Sequence, residues 1–87
     1  MPLVWIPSQL RGLTGGQVRV HSPGRTLGEV IDQLEAAYPG MRARLVAGDQ
    51  VRESLAVLVG GEQRAGLLLE PVADDAEIHF VPAIAGG

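Results

Sequence analysis

An α+β architecture, a mixed sheet of four to five strands with one main helix packed across it, follows from three observations in this 87-residue chain. Alternating apolar residues at 3–10 and 17–21 flank a Gly-rich turn. A single apolar stripe at helical spacing occupies 27–38. Two apolar segments, 55–59 and 77–81, then follow with turn signals between them.

Leu3 to Leu10 reads as a strand with Val4 and Ile6 on one face and Leu3, Trp5 and Pro7 on the other. Pro7 cannot donate to a ladder, so it marks an edge or a bulge. Gly12-Leu13-Thr14-Gly15-Gly16 turns the chain, and Gln17 to His21 alternates again with Val18 and Val20 on one face, which gives an antiparallel hairpin closed by Ser22-Pro23-Gly24. Thr26-Leu27-Gly28-Glu29 has the capping-box spacing, in which a hydroxyl and a carboxylate satisfy orphan amides of a first helical turn. Leu27, Val30, Ile31, Leu34 and Tyr38 then form one stripe, and Pro39-Gly40 stops the helix.

Residues 41–53 carry a mixed pattern in which Leu45 and Val46 can dock on the core and Gly48-Asp49 marks a turn. Leu55 to Val59 is too apolar for an exposed edge strand, and Gly60-Gly61-Glu62 turns it. Leu67 to Leu69 form a short strand or a turn. Asp74-Asp75 are turn formers ahead of a last strand, Glu77 to Val81, with Ile78 and Phe80 on one face and His79 and Val81 on the other. Pro82 ends the pairing. The chain divides into a domain over 1–82 and a flexible tail over 83–87.

Composition excludes several functions. A chain this short buries only about 60–65% of the surface it exposes when unfolded, which leaves little room for a deep private active site. The net charge of −3, with seven scattered arginines and no lysine, argues against nucleic acid as a partner. No apolar run is long enough to span a bilayer and the N-terminal residues lack a basic leader, so no membrane association and a cytoplasmic location are expected. Without cysteine there is no disulfide framework, thiolate zinc site or cysteine nucleophile. His21 and His79 stand apart without a carboxylate cluster, which favours strand positions facing solvent over metal ligation. Ser8 has no base at a recognisable spacing, and no phosphate-cradling glycine loop stands between strand and helix. Nothing in the chain supports an enzyme.

The sequence closes on Ala85-Gly86-Gly87, a carboxylate on a stem almost without side chains. Unlike the internal pairs Gly15-Gly16 and Gly60-Gly61, this one closes no turn. A tail without Cβ atoms can lie extended in a channel too narrow for side chains.

Three blocks together resemble the β-grasp, ubiquitin-like sulfur-carrier family: Gln9-Leu10-Arg11 with Leu13-Thr14-Gly15-Gly16, then Thr26 to Ile31 with Leu34 and Tyr38-Pro39-Gly40, then Asp75 to Gly87. That family includes the molybdopterin synthase small subunit, the thiamine-pathway carrier and carriers for cysteine synthesis. Gly60-Gly61-Glu62 replaces the Asn-containing hairpin often seen there, and Val81 stands where molybdopterin synthase small subunits tend to place an aromatic. Together with the Leu13-Thr14-Gly15-Gly16-Gln17 turn, these departures make the chain look closer to the cysteine-synthesis type.

The resemblance implies a protein co-substrate with no bound cofactor. Gly87 would be adenylated by a ubiquitin-activating-type enzyme using ATP and Mg²⁺ and converted to a thiocarboxylate. Ala83, Ile84, Ala85 and Gly86 would be threaded into partners, and the sulfur passed to a cysteine synthase-like enzyme or a molybdopterin synthase large subunit. The small subunit of molybdopterin synthase, a ubiquitin-like modifier and a plain β-grasp binding module without C-terminal chemistry are the alternatives. Trp5, Pro7, Val57 and Val81 are the expected docking patch on the sheet face opposite the helix, and Arg11 and Arg64 could meet an acidic partner rim.

Overall fold

Strand β1 (Leu3–Trp5) and strand β2 (Arg19–His21) form the expected antiparallel hairpin, with Val4 opposite Val20. The computed structural model describes residues 1–83, so Ile84, Ala85, Gly86 and Gly87 lie outside the described residues. The first strand is shorter than the alternation suggests. Ile6 still donates its amide to Val18 O at 2.8 Å, but Pro7 then caps a 3-10 helix over Ser8–Thr14. Leu10 and Thr14 are buried by that helix, and the Thr14 hydroxyl is satisfied by the Arg11 and Gln17 carbonyls. Val18 falls outside β2 and is 40% exposed, so Val20 alone of that pair enters the core.

Helix α1 (Leu27–Ala37) begins where the capping box places it. Thr26 Oγ1 accepts from the Glu29 amide at 3.2 Å, while the Glu29 carboxylate reaches back to the Arg25 amide at 2.9 Å. Leu27, Val30, Ile31 and Leu34 are buried, and Tyr38 packs at their edge. Gly28 has a separate reason to be glycine. Its amide donates to Leu68 O at 2.8 Å, and a Cβ there would stand 3.0 Å from the same oxygen. The first helical turn therefore sits directly on the loop at Leu68.

The segment after Gly40 forms helix α2 (Met41–Leu45) and a small hairpin of β3 (Val46–Ala47) and β4 (Gln50–Val51). Met41, Leu45, Val46 and Val51 close one end of the core. The start of α2 is capped from α1: the Glu35 carboxylate accepts from the Arg42 amide at 2.8 Å and from the Gly40 amide at 3.2 Å. Those two amides hold the Glu35 carboxyl below its ordinary value of 4.5.

Strand β5 (Leu55–Val59) turns through Gly60 and Gly61, both at positive φ, into β6 (Glu62–Arg64). The final strand, β7 (Glu77–Pro82), enters between β1 and β5. The sheet order is β2-β1-β7-β5-β6, with β1 parallel to β7 and the other pairs antiparallel. Pairing runs one residue beyond expectation: Pro82 is in register with Leu55, and the Ala83 amide donates to Ser54 O at 2.9 Å. Leu67 makes only an isolated bridge with Gln50. Val4, Val20, Val57, Val59, Ile78 and Phe80 all pack towards α1, which leaves Trp5, Ala56, Leu58, His79 and Val81 on the opposite face.

This facing predicts unequal costs for adjacent truncations. Val57→Ala should cost about 2 kcal/mol and Leu58→Ala about 1 kcal/mol or less, measured by urea unfolding; equal costs would contradict the facing. The Glu35 cap predicts a pH effect. Its carboxyl is lowered in the folded state, so the stabilisation is full above the unfolded value and fades as pH falls through the folded one. The stability gap between wild type and Glu35→Gln should therefore shrink as urea midpoints are followed from about pH 7 to about pH 3.

Candidate functional site

The end of β7 is placed by the whole sheet. Ile78 and Phe80 are 0% and 3% exposed, both neighbouring strands are paired with β7, and the Ala83–Ser54 hydrogen bond holds the chain against β5 one residue past the strand. The last position described therefore leaves from the middle of the sheet. The residues expected to enter partners, Ile84, Ala85 and Gly86, and the expected modified residue, Gly87, follow it outside the described residues; Ala83 is the member of that set the structure places, and it is exposed.

The uncovered sheet face carries one continuous row across all five strands. Arg19, Trp5, His79, Leu58 and Gln63 are successive register partners on β2, β1, β7, β5 and β6. The Trp5 indole is held from three directions. His79 stacks on it with ring centroids 5.1 Å apart and planes 10° from parallel, and the Arg19 guanidinium lies 5.4 Å from the ring centroid. Those two residues come from the strands on either side of β1. In the ring plane, Nε1 donates to Glu77 Oε1 at 2.9 Å. Val81 and its register partner Ala56 extend the apolar surface towards the tail, with Val81 37% exposed.

Of the four residues expected to form the docking patch, the structure brings Trp5 and Val81 to the open face. The other two need correction. Val57 is 1% exposed because it stands in register with Phe80, and both point to α1. Pro7 is buried as the cap of the 3-10 helix. Leu58 and His79 take the central positions that sequence reasoning gave to Val57. The alternation in Leu55–Val59 carried the signal, since the apolar parity of Ile78 and Phe80 fixes which residues of an antiparallel neighbour face the core.

Arg64 pairs with its own neighbour Glu62 at 3.3 Å, while Arg11 donates Nε to Ile6 O at 3.1 Å beside the end of β1. Among the described residues no three His, Cys, Asp or Glu side chains group to hold a metal ion, and no helix is long and apolar enough to cross a membrane. What the arrangement offers chemically is a wide, partly apolar face and a chain end leaving beside it.

Comparison with known proteins places this geometry in a family. The sulfur carrier protein CysO of Mycobacterium tuberculosis is 38% identical, over 97% of this chain and 96% of that protein. The crystal structure of the Amycolatopsis orientalis BexX/CysO complex contains a chain that superposes with a TM-score of 0.88 at 36% identity, each chain covered completely. SAMP1 from Haloferax volcanii superposes with a TM-score of 0.70 at 29% identity, over 99% of this chain and 98% of that one. The model of the ThiS family matches residues 4–87. The five-stranded mixed sheet crossed by one helix is thus a β-grasp, ubiquitin-like fold, and the chain belongs to the ThiS family of small protein carriers, which are not catalysts.

Proposed function

We propose that this protein is a sulfur carrier for cysteine biosynthesis and that Gly87 is the residue that carries the sulfur. The observation that supports it most is that the chain's diglycine end follows the central strand of a carrier fold matched through residue 87. A free carboxylate is a poor acyl donor because oxide would have to leave. A ubiquitin-activating-type partner would use ATP and Mg²⁺ to form the acyl-adenylate at Gly87 with release of pyrophosphate. Hydrosulfide from a sulfur donor would then add at that carbonyl and AMP would leave, giving the thiocarboxylate. The carrier would deliver this group to a cysteine synthase-like acceptor, sparing the cell free sulfide.

In this reading the chain's own residues bind and position. Residues 83–86 have at most a methyl or one branched side chain each, which suits a narrow channel, and the Ala83–Ser54 hydrogen bond fixes where that segment starts. The open face around Trp5, Leu58, His79 and Val81 is the docking surface, replacing the patch expected from sequence. The likeness to SAMP1, a small archaeal modifier protein, favours a second reading in which the activated Gly87 passes to lysine amines of other proteins. Activation would be the same, and only the acceptor would differ.

Incubating the chain with an adenylating partner, ATP, Mg²⁺ and sulfide should add the mass difference between sulfur and oxygen, placed on Gly87 by fragmentation. Deleting Gly86 and Gly87 should abolish the gain while moving the unfolding midpoint little, because the buried hydrophobic core runs from Val4 to Phe80. An unchanged mass contradicts the proposal, and lysine-linked conjugates formed in place of thiocarboxylate would shift it to the modifier.

A further inference from the structure

Charge is segregated along the strand axis. Three segments meet at the end of the sheet where β7 leaves: residues 7–13, α2 and residues 52–55. They hold four of the seven arginines, Arg11, Arg42, Arg44 and Arg52, and one of the ten carboxylates, Glu53, while Asp32 and Glu35 of α1 reach only the Arg42 side of α2. The start of β7, at the other end of the sheet, carries Asp74, Asp75 and Glu77. Such a separation in a chain of net charge −3 sets up a field directed at the tail.

The details place these arginines around the exit. A cleft of about 170 Å³ opens beside the Ala83–Ser54 hydrogen bond, lined by Pro7, Gln9, Leu10, Arg44, Ser54 and Leu55. Arg11 is held over the same end of the sheet by its Nε bond to Ile6 O, and Arg52 Nε donates to Ala43 O, next to Arg44. Arg42 is neutralised by Asp32 at 2.7 Å. Arg11, Arg44 and Arg52 form no ion pair with a carboxylate among the described residues. Arg44 is exposed, and its side chain makes no hydrogen bond among them.

The geometry points to a recognition collar: Arg11, Arg44 and Arg52 dock on carboxylates that rim the channel of the partner that receives the C-terminus. This rests on the carrier reading above. Reach sets the constraint. Four residues follow Ala83, and fully extended they span at most about 14 Å. A partner that acts on the Gly87 carbonyl at the bottom of a channel must therefore bring the channel mouth against the base of the tail, where the arginines stand. Cations there gain from a mouth lined with Asp or Glu, both by steering the encounter and by setting the direction of entry. The open sheet face supplies apolar area, and the collar supplies orientation.

The test uses the full chain and the ubiquitin-activating-type enzyme from the same genome, with pyrophosphate exchange read against carrier concentration. Arg44→Glu, and the double variant Arg11→Glu with Arg44→Glu, should raise KM, by about tenfold for the double at about 50 mM salt. kcat should stay within about twofold, and the defect should fall towards wild type at about 500 mM salt as the rim charges are screened. Arg44→Lys should retain most of the affinity. Because the Arg44 side chain makes no hydrogen bond among the described residues, the single variant keeps the wild-type unfolding midpoint and remains interpretable if the double is unstable. A KM unchanged by both substitutions, or a defect of equal size at both salt concentrations, overturns the collar alone. A wild-type chain that the enzyme does not adenylate overturns the carrier reading and the collar with it.

Discussion

The last strand of the chain lies in the middle of the sheet, and the rest of the molecule is arranged around that placement. A terminal strand added at an edge would be held from one side and would fray readily. β7 is instead paired on both sides, parallel to β1 and antiparallel to β5, and its two inward side chains lie under α1. β2 and β5 lie on opposite sides of the β1–β7 pair, so the connection between them must cross a face of the sheet. Placing α1 there supplies the apolar stripe that covers Val4, Ile78 and Phe80. The outcome is a rigid body from whose centre the chain end departs, which is what delivering a C-terminal group to another protein requires.

One helix can cover only one face, and the other is left to solvent. Its residues are neither ordinary surface nor core. Trp5 stacks with His79, lies close to the Arg19 guanidinium and has its N–H satisfied by Glu77, so a large aromatic stands half-buried with little rotamer freedom left to lose on binding. Prior ordering of this kind lowers the entropic cost of association. At the end of the sheet the electrostatics add direction: basic side chains surround the exit and carboxylates gather at the start of the same strand. Apolar face, basic collar and chain end are three consequences of one register.

The elements read most directly from sequence were those whose signal is local. The capping box at Thr26 and the stripe from Leu27 to Leu34 specify α1 without reference to anything else, and the glycine pair at 60–61 specifies its turn through backbone sign alone. The diglycine end was equally visible. Misreadings arose where the deciding neighbour is distant. Pro7 looks like a strand residue until the 3-10 helix behind it is seen, because alternation continues through Ile6. Val57 and Leu58 are both apolar, and only the register with Phe80 and His79 decides which faces the helix. Strand β6, Glu62-Gln63-Arg64, has no apolar residue; it is an exposed edge held by backbone pairing with β5, so hydrophobic patterning could not reveal it. The stretch from 41 to 53 is stabilised by Glu35 reaching from α1, a contact invisible in local sequence.

On the carrier proposal the folded body is a handle and the chemistry is confined to its last carbonyl. NMR of a chain carrying a ¹³C-labelled carbonyl at Gly87, recorded before and after loading with sulfide by an adenylating enzyme, tests this most directly. This one carbonyl signal should move from a carboxylate to a thiocarboxylate position while the backbone amides of residues 1–82 keep their shifts. A Gly87 carbonyl that stays in place, or amide changes spread across β1, β5 and β7, would contradict it.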